Sequence, residues 1–317
     1  MRKTILAAVM AAMMTTIGAT GAVSQVIGVT MSQFDDNFLT VLRNGMIEQA
    51  EARGIEIQVE DALNDVAKQL DQINNFIASG VDAIINNPVD TSATIAMTNA
   101  AESAGVPMVF VNREPINVDS LPDNQAFVAS NEIESGTLET FEICKILRGM
   151  GKAGGARAYL LMGELSNQAA VQRTKDVDDV IGMDMCSFIE IIDRQTANWS
   201  RDEAQDLMTN WLSAGEPFDA VISNNDEMAI GAIQAMKAAG LDMADIVVGG
   251  VDATQDALAA MTAGDLDVTV FQDAAGQGSG ALDAAVALAA GEEVDQKVYI
   301  PFQLVTPDNM DMFMARN

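Results

Sequence analysis

The chain of 317 residues contains no histidine, two cysteines and few aromatic residues. Without histidine it has no Ser-His-Asp triad, no zinc site built on imidazole and none of the commonest general base. The two cysteines, Cys144 and Cys186, are too few for a cysteine-rich zinc or redox motif. In an oxidising compartment they can pair, but their spacing alone leaves a disulfide and two free thiols equally open.

Long apolar runs are absent beyond the N-terminus. Arg2 and Lys3 precede an apolar stretch over residues 5–17, and small residues at 20–22 allow cleavage after Ala22. The stretch is short for a membrane-spanning helix, which disfavours the alternative of an uncleaved anchor. We predict that residues 1–22 are a signal peptide and that the mature chain is periplasmic.

Basic residues are also scarce, with 17 Lys and Arg against 46 Asp and Glu. Loss of Arg2 and Lys3 with the signal peptide leaves 15 basic and 46 acidic residues, a net charge of −31. Such a surface repels nucleic acid and anionic lipid, so neither is an expected partner. The acidic residues are spread along the chain, which favours a role in solubility or in a salty habitat over a role in one site.

Short apolar runs alternate with helical patterns through most of the chain. Ten strands are predicted, at residues 26–31, 56–60, 83–86, 108–111, 126–129, 157–161, 188–193, 220–223, 246–249 and 267–271. The helices predicted between them include residues 37–53, 66–79, 91–104, 132–150 and 201–214. This alternation predicts an α/β protein with parallel sheets and helices on both faces of each sheet.

Ten strands are many for one sheet, so two lobes are expected. We predict an N-terminal lobe of residues 23–130 plus 273–301 and a C-terminal lobe of residues 131–272 plus 302–317. The chain then passes between the lobes three times.

Polar side chains cluster where the predicted strands end. The segment Asn224-Asn225-Asp226 follows the strand at 220–223 and opens a helix, and on its own it is only a well-capped helix start. Similar junctions of amides, carboxylates, guanidiniums and two aromatics follow other strands. Carboxyl ends of parallel strands line the ligand crevice of open sheets, and these groups suit the vicinal hydroxyls of a polyol.

The order of these junctions resembles the periplasmic sugar-binding proteins of the ribose/galactose type, which are solute receptors of ABC importers. The matching segments are Asn86-Asn87-Pro88-Val89-Asp90, Asn112-Arg113, the run from Asn225 to Ala232, and Gly250-Val251-Asp252. The resemblance implies a two-lobed periplasmic-binding-protein type I fold, a monomer, a membrane permease as partner, and no cofactor or metal. It implies ligand contacts at Ser32, Asp36, Phe38, Asn87, Asn112, Arg113, Arg173, Trp199, Asn225, Asp252 and Gln272.

Several positions depart from the ribose-type pattern. Leu39 and Val251 stand where aromatics are expected, which predicts room for a thicker ligand than a pentose. Asp36 replaces an expected Asn, and Asn112 an expected Asp. The pattern around Phe38 and Arg113 looks closest to inositol and rhizopine-type receptors, so we expect an inositol or aminocyclitol, with a ribose- or galactose-type sugar as the alternative.

Structural roles compete with these assignments. Arg113 can form a surface ion pair, Arg173 can lie on a solvated helix face, and Phe38 and Trp199 can belong to the core. Asp252 can cap the next helix. If both arginines line a cleft, their removal is expected to weaken ligand binding while the ligand-free protein stays folded.

Two other functions remain open at this point. A receptor that serves chemotaxis or a sensor kinase would share the ligand site and differ in its docking surface. An exported glycosidase would use Asp36 and Asp252 as paired carboxylates. It would need a raised pKa on one of them, and two nearby arginines are expected to lower that pKa instead.

Overall fold

A computed structural model describes residues 25–316, so the predicted signal peptide, residues 1–22, lies outside the described part. The strands are β1 (Val26–Met31), β2 (Glu56–Asp61), β3 (Ala83–Asn86), β4 (Met108–Val111), β5 (Gln125–Ala129), β6 (Ala156–Met162), β7 (Ile189–Thr196), β8 (Ala220–Ser223), β9 (Val247–Val248), β10 (Thr269–Phe271), β11 (Lys297–Tyr299) and β12 (Gln303–Val305). The α-helices are α1 (Asn37–Arg53), α2 (Val66–Ser79), α3 (Thr94–Ala104), α4 (Glu132–Gly149), α5 (Gln168–Ile181), α6 (Arg201–Ala214), α7 (Asp226–Ala238), α8 (Gln255–Ala263) and α9 (Ala274–Ala289). Within this part of the chain no helix is both long and apolar enough to cross a membrane.

The first sheet has the strand order β11-β5-β4-β3-β1-β2, and every pair in it is parallel. Helices α1 and α9 cover one face, where Leu42 and Leu282 join the core. Helices α2 and α3 cover the other face with Phe76 and Met97. Strands β3 and β4 are buried at every residue, which explains why their sequences are apolar without alternation.

The second sheet has the order β7-β6-β8-β9 and is also parallel. Met208 of α6, Met228 of α7 and Leu258 of α8 pack on one face. Ile143 of α4 and Val177 of α5 pack on the other. A separate antiparallel pair, β10 with β12, adjoins this sheet through isolated bridges that involve Gly249 and Asp252.

The chain passes between the two lobes at three places, which we call the crossings. The first lies between β5 and α4, the second between β10 and α9, and the third between β11 and β12. The predicted α/β class, with two lobes that each hold a mostly parallel sheet between helices, is confirmed. The exact lobe boundaries stay a prediction.

Some elements differ from the prediction. The strand predicted at 246–249 shrinks to β9, because Gly249 forms only an isolated bridge to Val268. The helix predicted from residue 91 begins with a 3-10 turn, Thr91–Ala93, capped by Asp90. Strands β11 and β12 were not predicted, because each is three residues long and partly exposed, so neither has a readable apolar run.

The lobes touch each other across the cleft between them. The side-chain amide of Asn37 donates to Glu227 over 2.8 Å. The backbone N–H of Thr91 also donates to the carbonyl of Ser166 over 3.0 Å. The described conformation is therefore one in which hydrogen bonds join the two lobes across the cleft.

Cys144 and Cys186 form a disulfide, with their Cα atoms 5.7 Å apart. The bond joins α4 to the turn before β7 and lies in the core below α4 and α5. The sequence left open whether the two cysteines are bonded or free, and the structure shows that they are bonded.

We expect the double variant Cys144→Ala/Cys186→Ala to lose about 2–4 kcal/mol of unfolding free energy, because the bond closes a loop of 42 residues. Denaturant titrations of both proteins, with and without a thiol reductant, measure the loss. The reductant should destabilise the wild type and leave the double variant unchanged. An equal effect on both would show that the bond contributes nothing.

Candidate functional site

A cavity lies between the lobes, at the carboxyl ends of strands from both sheets. Its volume is about 40 Å³, which holds a few water molecules. Its walls are formed by Asp36, Phe38, Leu39, Asn112, Arg113, Asn167, Ala169, Arg173, Trp199, Asn225, Asp252 and Gln272. Most of the residues singled out from the sequence therefore lie together.

Ser32 and Asn87 are the two predicted contacts that do not line the cavity. The Ser32 hydroxyl donates to Asn87 Oδ1 over 2.7 Å, and the Asn87 amide donates to Asn112 Oδ1 over 3.3 Å and to the carbonyl of Val111 over 3.2 Å. Both side chains are fully buried behind Asn112. In this arrangement they hold Asn112 in place.

Asp36 and Arg113 form the polar part of the N-terminal wall. Asp36 caps α1, since its Oδ1 accepts from the backbone N–H of Leu39 over 2.7 Å. Arg113 Nη1 donates to the carbonyls of Pro88 and Val89 over 3.1 and 3.2 Å. Each side chain therefore has a fixed position before any ligand arrives.

Arg113 is not the surface ion pair that the sequence allowed. It is 3 % exposed, and its nearest carboxylate is Glu164 of the opposite lobe, with Nη1 and Oε2 3.8 Å apart. Burial lowers the pKa of Arg113, against the charges of Glu164 and Asp36. The guanidinium thus bridges the cleft electrostatically.

Arg173 forms the centre of the C-terminal wall. Its Nε and Nη2 donate to the two carboxylate oxygens of Glu132 over 2.7 and 3.0 Å. Nη1 donates to the carbonyl of Asn224 over 2.7 Å, and Nη2 also donates to Gln272 Oε1 over 3.1 Å. Four of the five N–H groups of a guanidinium are used in this way, so at most one remains for a ligand.

The alternative that Arg173 lies on a solvated helix face is wrong, because the residue is 3 % exposed. Burial favours a lower pKa, but the charge and hydrogen bonds of Glu132, together with the charges of Asp252 and Glu139, outweigh it and the pKa of Arg173 is raised. Sequence reasoning missed Glu132. An acidic residue in the first turn of a helix is ordinary, and only its position directly after the first crossing could have marked it.

Three wall residues have left-handed backbone conformations, with φ of 67° at Asn112, 64° at Trp199 and 125° at Asp252. Non-glycine residues rarely adopt such angles, and they cluster at functional sites. Asp252 is not the cap of the following helix, since Thr254 caps α8. At these strand ends the backbone leaves regular strand geometry, and the side chains of these three residues line the cavity.

Phe38 and Trp199 supply the apolar surface of the cavity. Both are mostly buried, and both line the cavity rather than belonging only to a lobe core. Trp199 Nε1 is buried and has no hydrogen-bond partner among the described residues. Asn225 supports the loop from below: its Oδ1 caps α7 at Met228, and its amide donates to the Trp199 carbonyl over 3.4 Å.

The substitutions at Leu39 and Val251 have different consequences. Leu39 lines the cavity, as expected. Val251 instead packs against Val270 and Phe302 in a small core and does not form part of the wall. The extra room inferred from the sequence therefore rests on Leu39 alone.

The arginines lower the pKa of the acidic wall residues, as expected, but the expected net lowering is wrong. Burial raises the pKa of Asp252 well above its ordinary value, and the charge of Arg173 only partly opposes this. Burial also raises the pKa of Asp36, against the Leu39 N–H and the charge of Arg113. Removal from water outweighs the nearby positive charges at both residues, so the pKa argument against a glycosidase does not hold.

The fold and the site together define a class. The chain belongs to the periplasmic binding protein family, whose domain matches residues 27–293. Members of this class bind solutes and are not defined by a catalytic reaction.

Comparison with individual proteins narrows the class. The chain is 62 % identical over 300 residues to a Rhizobium meliloti protein named "Putative rhizopine-binding protein", covering 94 % of this chain and 96 % of that one. A solved ABC transporter solute-binding protein from Bacillus halodurans with bound myo-inositol is 41 % identical, with a TM-score of 0.86, and covers 94 % of this chain and 100 % of that one. The myo-inositol binding protein of Caulobacter, solved with myo-inositol, is 26 % identical, with a TM-score of 0.80 and coverage of 92 % and 98 %.

We expect Glu132→Gln to lower the free energy of unfolding by about 3–5 kcal/mol, because it leaves Arg173 buried beside a neutral partner. Arg173→Ala should do the same, since it leaves the Glu132 carboxylate buried without its cation. Glu134→Gln, an exposed acidic residue in the same helix turn, is the control and should change stability by less than about 0.5 kcal/mol. Denaturant titration measures all three, and equal values for the two glutamates would contradict the role of the ion pair.

Behind the C-terminal wall, Glu139 is fully buried, and its Oε1 accepts from the backbone N–H of Ser223 over 3.1 Å. Burial raises the pKa of Glu139 to about 8, although the Ser223 N–H and the charge of Arg173 oppose the rise. The folded chain therefore keeps a proton that the unfolded chain releases above its ordinary pKa of 4.5. Stability from this group is complete below pH 4.5 and is lost as the pH rises through 8.

The unfolding free energy of the wild type should therefore fall between about pH 5 and 8, with Glu139 contributing a slope of at most about 1.4 kcal/mol per pH unit. Glu139→Gln keeps the size and the acceptor and cannot titrate, so its curve should be flatter. Denaturant titrations across this pH range measure the difference, with Glu134→Gln again as the control. Parallel curves for wild type and Glu139→Gln would mean that Glu139 does not hold the proton.

Proposed function

We propose that the chain is the periplasmic receptor of an ABC importer, that residues 1–22 direct its export, and that it works as a monomer. Its ligand is a cyclitol, either an inositol or an aminocyclitol. The predicted wall residues, with Ser32 and Asn87 supporting Asn112 from behind, form its binding site. Family membership, the myo-inositol seen in the Bacillus halodurans and Caulobacter structures and the name of the Rhizobium meliloti relative support this assignment.

The observation that carries the proposal is the distribution of ionisable groups over both walls. The N-terminal wall offers Asp36 and Arg113, and the C-terminal wall offers Asp252 and Arg173. A ring with a hydroxyl on every carbon can give each of these groups a partner. Ribose, with fewer hydroxyls, would satisfy less of the hydrogen-bonding capacity that these groups still offer, at a cost on the order of 1–3 kcal/mol for each buried donor or acceptor left without a bond.

The entrance to the cavity favours a cation. A wider groove of about 530 Å³ opens beside the cavity, and Asp36 and Trp199 line both. The acidic residues of this groove are Asp35, Asp36, Glu164, Asp202, Glu203 and Glu227. Carboxylates gathered in a cleft raise the local concentration of cations, and Asp36 can accept from an ammonium group. An aminocyclitol therefore suits this entrance better than a neutral sugar does.

Binding also has to change the spacing of the lobes. Hydrogen bonds from Asn37 to Glu227 and from Thr91 to Ser166 join the lobes in this conformation, so the lobes must separate to admit a cyclitol before they close on it. A ligand that contacts both walls favours the closed form only by its differential affinity for that form. The closed receptor then presents both rims to its permease.

The alternatives make different predictions. A monosaccharide receptor would rank a pentose or hexose above the cyclitols. A receptor that feeds a sensor would keep the ligand ranking and differ in its partner, so a permease and an ATPase encoded beside it favour import. An enzyme would turn over its ligand, whereas a receptor returns it unchanged after release.

We expect myo-inositol or scyllo-inosamine to bind at least about tenfold more tightly than ribose, a difference of about 1.4 kcal/mol. Side-by-side calorimetric titrations measure the ranking, and small-angle scattering at saturation should show a smaller radius of gyration than without ligand. A ribose affinity above both cyclitols would reject the ligand class. Cyclitol binding without compaction would count against closure.

The matched variant Asp36→Asn separates the two cyclitols. Asparagine keeps the size of the side chain and the helix cap and removes the negative charge. The variant should lose affinity for scyllo-inosamine by a larger factor than for myo-inositol. Equal losses would show that Asp36 does not pair with the ammonium group.

A further inference from the structure

Gly163 follows β6 and lies against the indole of Trp199. Its backbone is fixed at both ends, because its N–H donates to Asn224 Oδ1 over 3.1 Å and its carbonyl accepts from the Thr196 hydroxyl over 2.8 Å. The residue is buried and does not line the cavity, whereas Trp199 does. The indole therefore separates the glycine from the ligand space.

A side chain at position 163 would collide with that indole. A Cβ atom there would lie 2.2 Å from Cζ2, 2.3 Å from Cη2 and 2.4 Å from Cε2 of Trp199. Three adjacent ring atoms at nearly equal distances mean that the six-membered ring lies over the glycine. Carbon atoms in ordinary contact are about 3.5–4.0 Å apart, so the ring would have to move by more than about 1 Å.

The loop that carries the ring is held, and one side of the ring is packed. The Trp199 carbonyl accepts from the Asn225 amide, which holds the loop, and the ring packs with the core of the C-terminal lobe. Arg173 Cζ lies 5.7 Å from the ring centroid on the cavity wall. Trp199 lines both the cavity and the wider groove at its entrance, so an indole displaced from Gly163 takes up space that the ligand has to pass through or occupy.

We propose that Gly163 is a specificity-determining residue of this receptor. The missing side chain sets how far the Trp199 indole stands back from the cavity, and so sets the thickness of ligand that fits when the lobes close. The inference rests on the proposed function in one respect: it takes a six-membered polyol ring as the ligand. It adds a residue that contacts no ligand and yet limits ligand size.

The test is a double-variant cycle with myo-inositol and ribose as probes. Gly163→Ala should weaken myo-inositol binding at least tenfold and ribose binding by less, because the smaller ring needs less depth. Trp199→Phe shortens the aromatic side chain at the point of collision. In Gly163→Ala/Trp199→Phe, the myo-inositol affinity should therefore return to within about threefold of Trp199→Phe alone.

Gly154→Ala is the matched control, since no atom lies within 4 Å of a Cβ placed there, and it should bind both probes like the wild type. Unchanged myo-inositol affinity in Gly163→Ala, or a double variant no better than the product of the two single losses, would overturn the proposal. If Gly163→Ala does not fold, a folded double variant supports the collision with Trp199, and an unfolded one overturns it. A wild type that binds no cyclitol would instead reject the proposed function.

Discussion

The buried ion pair of Arg173 and Glu132 is the interaction on which the site depends. A guanidinium removed from water is stable only with a partner of opposite charge and with acceptors for its other N–H groups. Arg173 finds these partners at the crossings: Glu132 follows the first and Gln272 lies in the second. At the third, the ring centroid of Phe302 is 5.9 Å from Arg173 Cζ. One side chain of the cavity wall is thereby attached to all three segments that join the lobes.

The N-terminal wall has a comparable connection through neutral groups. Asn112 donates to Gln277 Oε1 over 3.3 Å, and Gln277 donates to the hydroxyl of Ser130, in the first crossing, over 3.0 Å. If the cavity holds the ligand as proposed, contacts on either wall would bias the geometry of the first crossing, through Ser130 from one side and Glu132 from the other. This is the kind of differential contact that ligand-driven closure requires.

Unfavourable local conformations, held in place by surrounding contacts, fix the positions of the side chains in the cavity wall. The left-handed backbone at Asn112, Trp199 and Asp252 costs on the order of 1–3 kcal/mol at each residue. Close packing of Trp199 on Gly163 likewise leaves no room for a methyl group. Such features persist because the two sheets and their helices are stable enough to impose them, and they place the side chains where regular strands would not.

The sequence by itself determined the α/β class, most strand and helix positions and the polar strand ends, because each depends on residues close together in the chain. Asp36 and Asn225 were readable in this way as junction residues after buried strands. Tertiary structure alone decided that Arg173 pairs with Glu132, 41 positions away, and that Ser32 and Asn87 stand behind Asn112. It also decided that Val251 lies outside the wall and that burial raises the pKa of Asp252 despite a neighbouring arginine. Pairing and burial depend on how distant segments pack. A local sequence pattern therefore cannot predict whether the loss of hydration or a nearby charge decides the pKa of a buried carboxyl group.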